Sequence, residues 1–296
     1  MQVSSELRHW TTIAAAVLAF VPLLAFGFSS KLPERIRALP QAIQLALPAV
    51  LVIPYLLTTL PLGWFRWPWF ALYLLLPSVV AALLALAARL DPEQRGHWIE
   101  FLVLLSLGLA VDLRWCEPAW PRSLSFMNKL LLLDAGIYGF MGVRGLSGVG
   151  YDLKLRAGDW KIGLRELILY TPIAVLLGLA LGFLHWHSHV ERPWMIPLAW
   201  LFTFFLIALP EEIYFRGWMQ NLLERRIGRT ASLVVTAVIF GLSHFNKRTA
   251  FFNWRYVLLA AIAGIFYGRA WRAERRIGAS VITHASVDTL WGVLLR

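Results

Sequence analysis

The sequence predicts an all-α protein, a polytopic transmembrane helical bundle of about 8–10 spans. Three observations carry this. Hydrophobic residues make up 59% of the chain and charged ones only 15%, with a mean hydropathy of +0.64, an apolar excess far beyond that of a soluble domain. Apolar runs recur at bilayer-crossing lengths, about 17–25 residues. Basic residues collect in the short segments between those runs.

In chain order the runs are 12–28, 42–62, 67–88, 98–113, 126–142, 167–184, 194–209, 231–246, 253–270 and 279–295. The run at 98–113 is short, and 126–142 contains Lys129 and Asp134, so these two are open to an interfacial or re-entrant reading. The first run follows Arg8 and leads to another span, not to a small-residue cleavage site, so it reads as a retained span. At 142–167 the pattern changes to GVRGLSGVGYDLKLRAGDWKIGLREL. Its glycines follow no strand and match no phosphate-cradling loop. The expected organisation is an N-terminal helical region at 1–142, a basic cytoplasmic connector with a surface-lying amphipathic piece at 143–166, and a core at 167–296.

The net charge of +11 and pI near 10.3 follow from the positive-inside rule. Lys31, Arg35 and Arg37, the stretch 144–165, Arg225, Arg226 and Arg229, and Arg269, Arg272, Arg275 and Arg276 all fall on one, cytoplasmic, side. Lys247, Arg248 and Arg255 fall on the other. No aromatic-interleaved basic groove accompanies the charge, so nucleic acid is not an expected partner. The expected partners are a lipid bilayer and a membrane-associated peptide or protein, in a multi-pass protein of the inner or plasma membrane. Cys116 is the single cysteine, which excludes an intramolecular disulfide and a cysteine metal cage. The stretch HWHSHVERPW at 185–194 spaces its histidines for chelation only on an extended backbone. With Trp186 and Trp194 it reads as an interfacial belt.

The stretch ALPEEIYFRGW at 208–218 places three charges at the end of an apolar run, where a mid-bilayer charge costs about 2.5–3.5 kcal/mol even on lenient scales. Glu212 and Arg216 are four apart, acid first, on one helix face. Glu211 is turned away by about 100°. Apolar positions continue at helical spacing to Arg225, Arg226 and Gly228, which predicts one helix of about 30 residues kinked at Pro210. Glu212 and His244 are equally far from Gly228 along the chain, so an antiparallel hairpin sets both at about 24 Å from the turn. In SVITHASVDTLW at 280–291, His284 and Asp288 also share a face. Three helices, each bringing a polar cluster to an apolar bundle, predict one joint polar site. A poorly solvated glutamate can take a proton from water, histidine can hold that water or a metal, and a second histidine can stabilise an oxyanion. This chemistry suits amide hydrolysis.

The trio Glu211-Glu212-x-x-x-Arg216, Phe240-x-x-x-His244 and His284-x-x-x-Asp288 resembles the three motifs of the CPBP intramembrane proteases. That group includes type II CAAX prenyl endopeptidases and bacteriocin-processing or self-immunity proteins. The resemblance covers roughly 194–295 of the sequence. It implies a glutamate-dependent endopeptidase acting on a membrane-associated or lipidated substrate. Glu211 is then the water-activating base, His244 its helper, His284 and Asp288 the oxyanion pair, and Glu212 and Arg216 supporting members. The last motif ends in asparagine in the best-known prenyl endopeptidases, and an ionised Asp288 cannot donate to an oxyanion. It can instead orient His284, stay protonated, or ligate a metal. Zinc, if used, would take Glu211, His244 and His284; a metal-free route, with Glu211 left as base, is preferred and needs no cofactor. The alternative is a non-catalytic immunity or scaffold protein, or a proton-coupled transporter.

Overall fold

A membrane-spanning backbone has no water to satisfy its N–H and C=O groups, so each span must close its hydrogen bonds internally. In the computed structural model, which describes residues 9–185, 193–247 and 251–295, the chain does this with helices alone; among the described residues there is no strand. Arg8, Arg248, Trp186 and all but His185 among the histidines of the 185–194 stretch lie outside the described residues.

The chain divides into two compact units, 1–147 and 148–296. The first contains α1 (Trp10–Phe28), α2 (Leu32–Arg37), α3 (Gln41–Thr59, with a 3₁₀ middle at Leu47–Val52), α4 (Trp67–Leu90), α5 (Trp98–Asp112) and α6 (Arg122–Val143). Its centre is aromatic. Tyr55 stacks on Tyr73 at 5.2 Å between ring centres, and Trp120 meets Tyr73 edge-on at 5.7 Å. The polar ends are satisfied in sequence, with Trp120 Nε1 donating to Tyr73 Oη at 2.8 Å and Tyr73 Oη donating to Asn128 Oδ1 at 3.0 Å. This lets large aromatic rings fill the core without leaving their own polar tips unpaired. At the end of α6, buried Arg144 binds Glu100 at 2.6 Å and Asp91 at 3.3 Å. Cys116 is buried with a free thiol.

The second unit contains α7 (Ala157–Ala180), α8 (Pro193–Ile227), α9 (Arg229–Leu242), α10 (Trp254–Glu274) and α11 (Ile277–Leu294). Residues 157–166, read from sequence as connector, form the first turns of α7. Asp159 accounts for this: its carboxylate accepts the Arg156 N–H at 2.8 Å, an acidic cap at the helix start.

Among the described residues, six helices are long and apolar enough to cross a membrane, namely α1, α3, α4, α6, α7 and α8. The sequence count of eight to ten also included α5 and α9, which have only 15 and 14 residues. It further included α10, which carries Arg255, Arg269 and Arg272, and α11, which carries His284 and Asp288. In α6, 83% of the apolar window is buried, against 33% in α1. That identifies α6 as an interior helix, and it turns Asp134, fully buried, away from lipid with neither carboxyl oxygen hydrogen-bonded among the described residues.

One end of the second unit is an ion-pair layer. Arg276 at the start of α11 binds Asp159 at 2.8 Å and Asp152 at 3.0 Å, and donates to the Lys154 carbonyl at 2.9 Å. Arg269 binds Glu166 at 2.9 Å, Arg275 binds Glu224 at 2.6 Å, and Arg272 donates to the Arg229 carbonyl at 2.9 Å. These links draw together the start of α7, the α8–α9 turn, the end of α10 and the start of α11. Gly150 supports the same corner. Its φ of +73° is left-handed, its carbonyl accepts the Ile277 N–H at 2.9 Å, and a Cβ there would strike the Arg275 carbonyl.

Two outcomes follow for this corner. Gly150→Ala should destabilise the protein by at least roughly 1–3 kcal/mol in thermal unfolding, from strained backbone before any collision is counted; wild-type stability would show that the corner is slack. Asp152 lies outside the spans. Partial burial alone would raise its carboxyl, but the Lys154 amide and Arg276 outweigh that and hold it below its ordinary value. Its contribution is therefore complete above the ordinary carboxyl value of about 4 and fades as pH falls through the lowered one. Asp152→Asn should be less stable at neutral pH and lose less on acidification; a parallel pH profile would contradict this.

Candidate active site

The 35-residue α8 is continuous from Pro193 to Ile227, a little longer than the sequence reading. Pro210 withdraws one backbone donor from it. Wide π-helical turns at Phe204–Ala208 and Ile213–Gln220 bracket this point, re-registering the backbone where π turns commonly accompany functional sites. The result is a helix whose polar face turns inward: Glu212, Arg216 and Gln220 are all fully buried.

Glu212 is the best-connected side chain. One oxygen, Oε1, accepts from Arg216 Nη1 at 3.0 Å and faces His284 Nδ1 at 2.8 Å; the other accepts a short hydrogen bond from Ser280. Arg216 also donates from Nη2 to the Gly264 carbonyl at 3.0 Å, and its guanidinium lies 4.6 Å from the centre of the Phe240 ring. Gly264 makes this possible, since a Cβ there would come within 3.0 Å of Ala237 and 3.3 Å of Phe240. Small residues at such crossings let membrane helices approach closely.

His284 is clamped on every side. Tyr267 stacks on it at 4.5 Å with an interplanar angle of 15°, and Phe240 meets it edge-on at 5.6 Å. Its Nε2 points to Asp288 at 3.5 Å and to Glu211 at 3.8 Å. The side chains of Glu211 and Asp288 retain 27% and 28% of their exposure, while Glu212 has none. The adjacent glutamates therefore occupy different environments: Glu212 is sealed, whereas Glu211 keeps part of its side chain exposed, with the Oε2 that faces His284 buried.

His244 lies two residues past the end of α9, not within it. The reason is local. The Ser243 hydroxyl and His244 Nδ1 both reach the Phe240 carbonyl at 2.8 Å, and such side-chain bonds compete with helix continuation. A carbonyl only accepts, so Nδ1 carries the proton and Nε2 is left as an acceptor. The Phe240 ring lies 5.0 Å from His244 as well as against His284, and both histidines line one largely apolar cavity together with Asp288.

Five of the six residues singled out in the sequence are thus joined by direct contacts: Glu211, Glu212, Arg216, His284 and Asp288. His244 joins through Phe240 and the shared cavity. Two site residues escaped the sequence reading, Ser280 and Tyr267. Ser280 was accessible to it, since it lies four before His284 and hence on the same face. Among the described residues, no three His, Cys, Asp or Glu side chains gather as a metal-holding group. Of the three residues named for zinc, His284 turns Nδ1 to Glu212 and Nε2 to Asp288 and Glu211, and His244 turns Nδ1 to the Phe240 carbonyl.

Residues 192–290 match a family model described as Type II CAAX prenyl endopeptidase Rce1-like. No curated protein and no solved structure matches the chain. The match agrees with the family that the three motifs resemble, and it spans all six site residues.

Removing Arg216 leaves the Glu212 carboxylate buried with its main counter-charge gone. Arg216→Ala should cost about 3–5 kcal/mol, and Ser280→Ala, which removes one hydrogen bond, about 1–3 kcal/mol. Thermal unfolding in lipid nanodiscs measures both. Wild-type stability for Arg216→Ala would place the pair in water.

Proposed function

Because residues 192–290 carry an Rce1-like domain, we propose that the unit at 148–296 is a membrane-embedded endopeptidase that hydrolyses a peptide bond of a membrane-associated or lipidated substrate with water activated by Glu211. The observation that carries this is the unequal environment of the two glutamates. Glu212 is occupied by Arg216, Ser280 and His284, whereas Glu211, beside His284 Nε2, is only partly buried, its Oε2 covered and the rest of the side chain 27% exposed.

In this reading Glu211 takes a proton from water, and the hydroxide adds to the carbonyl carbon of the scissile bond. His244, whose Nε2 accepts, orients that water. His284 has carboxylate oxygens facing both ring nitrogens, so a ring protonated at Nδ1 and Nε2 satisfies both. Its Nε2–H is then the donor for the oxyanion. Asp288, four residues on, orients that ring, the first of the three roles left open by its departure from asparagine. Collapse of the tetrahedral intermediate breaks the C–N bond, and the proton held by Glu211 passes to the leaving amine. Atoms balance as amide plus water giving acid plus amine, with Glu211 restored. Glu212 and Arg216 do not touch substrate; they fix His284.

Glu211→Gln keeps the shape of the side chain and removes the base. Membrane proteomes of cells carrying the wild-type or Glu211→Gln protein at equal abundance should differ by an uncut precursor in the variant. Identical proteomes, with the variant folded, would contradict an endopeptidase.

A further inference from the structure

Burying a hydroxyl in an apolar bundle without a partner is costly, and Tyr267 does so. The residue is only 1% exposed, and a buried tyrosine ordinarily gives its O–H to a partner. Tyr170, another buried tyrosine of the same cavity, behaves in that way: its hydroxyl donates to the Leu259 carbonyl at 3.1 Å. The Tyr267 hydroxyl has no hydrogen-bond partner among the described residues, although the backbone carbonyl of Tyr267 accepts from Ser280 at 2.9 Å.

The ring fixes where that hydroxyl lies. It is almost parallel to the His284 imidazole, 15° between planes at 4.5 Å, and Phe240 meets it edge-on at 5.8 Å. The stack holds the whole tyrosine, hydroxyl included, in a plane alongside the imidazole. Long side chains on a helix lean toward its N-terminus, which for Tyr267 on α10 is the direction of Ala263 and Ala260, one and two turns earlier. Both alanines line the cavity that Tyr267 shares with His244, His284 and Asp288, and their small side chains leave the hydroxyl facing that space.

An amide-hydrolysing site needs donors at this place. The oxyanion forms beside His284 Nε2, which supplies one N–H on the reading above. Asp288, at 3.5 Å from the same nitrogen, accepts hydrogen bonds when ionised and gives none. His244 holds its proton on Nδ1, turned to the Phe240 carbonyl. Oxyanion sites draw their strength from donors fixed in advance, tyrosine hydroxyls among them, and a hydroxyl free of protein partners can turn to an oxygen as charge develops on it.

We infer that Tyr267 is a catalytic residue, its hydroxyl the second donor to the oxyanion beside His284 Nε2. It gives a hydrogen bond and keeps its proton; the proton taken from water still passes through Glu211 to the leaving amine. This role rests on the endopeptidase reading, and it supplies the donor that aspartate at 288 cannot.

Tyr267→Phe keeps the ring and its stacking and removes only the hydroxyl. A Tyr267→p-aminophenylalanine variant restores an N–H donor at the ring tip. Both are reconstituted in nanodiscs beside wild type and Glu211→Gln, with the precursor that accumulates in Glu211→Gln cells as the substrate. Tyr267→Phe should lower kcat by about 10²–10³-fold with KM unchanged, and should melt at the wild-type temperature because no hydrogen bond within the protein is lost. The amino variant should recover kcat by about tenfold or more over Tyr267→Phe. Wild-type kcat in Tyr267→Phe, a loss that the amino variant does not reverse, or a lowered melting temperature overturns the role of the hydroxyl, while wild-type cutting with an inert Glu211→Gln leaves the endopeptidase reading standing. No accumulating precursor, or one that wild type does not cut, overturns that reading and this role with it.

Discussion

Sealing a carboxylate inside an apolar bundle removes several kcal/mol of hydration, and the surrounding helices must supply donors in its place. Glu212 imposes that constraint on the second unit. Arg216 answers from the next turn of α8, Ser280 and His284 answer from α11, and the Gly264 carbonyl on α10 takes up a further Arg216 N–H. Three helices are thereby held in register around one anion. The geometry at Glu211, Asp288 and the free edge of His284 is a consequence of that register.

The backbone cooperates in ways that ordinary helices do not. Pro210 and the π turns on either side of it let α8 remain one continuous element while placing two successive glutamates in different surroundings. Gly264 admits Phe240 and the Arg216 guanidinium into the same layer. The aromatic rings of Phe240 and Tyr267 then confine His284 to one orientation. Such pre-positioned dipoles, shielded from water, are the economical way to stabilise charge that develops during a reaction.

Much of this site was legible in the sequence because helix periodicity alone relates Glu212 to Arg216 and His284 to Asp288. The cost of intramembrane charge then made those residues conspicuous. Ser280 was not conspicuous, since a serine in a membrane helix ordinarily bonds to its own backbone, and only the neighbouring helix reveals the carboxylate it meets. His244 was read as helical because apolar spacing continues through it, whereas the competing bonds to the Phe240 carbonyl are tertiary detail. Of the runs read as spans, six form helices long and apolar enough to cross among the described residues, and the others are shorter or carry polar side chains that hydropathy alone averages away. The start of α7 read as connector because its charges, Asp159 and Glu166, pair with Arg276 and Arg269 more than a hundred positions away.

The account stands on Glu212 and Arg216 acting as one buried unit, and a double-mutant cycle measures that coupling. Unfolding free energies of wild type, Glu212→Gln, Arg216→Met and the double variant, in the same nanodiscs, give the interaction energy. The account predicts strong non-additivity, with the double variant more stable than the sum of single losses implies by roughly 2–3 kcal/mol. Additivity within about 0.5 kcal/mol would mean that the two side chains do not depend on each other. The anion would then not organise the site.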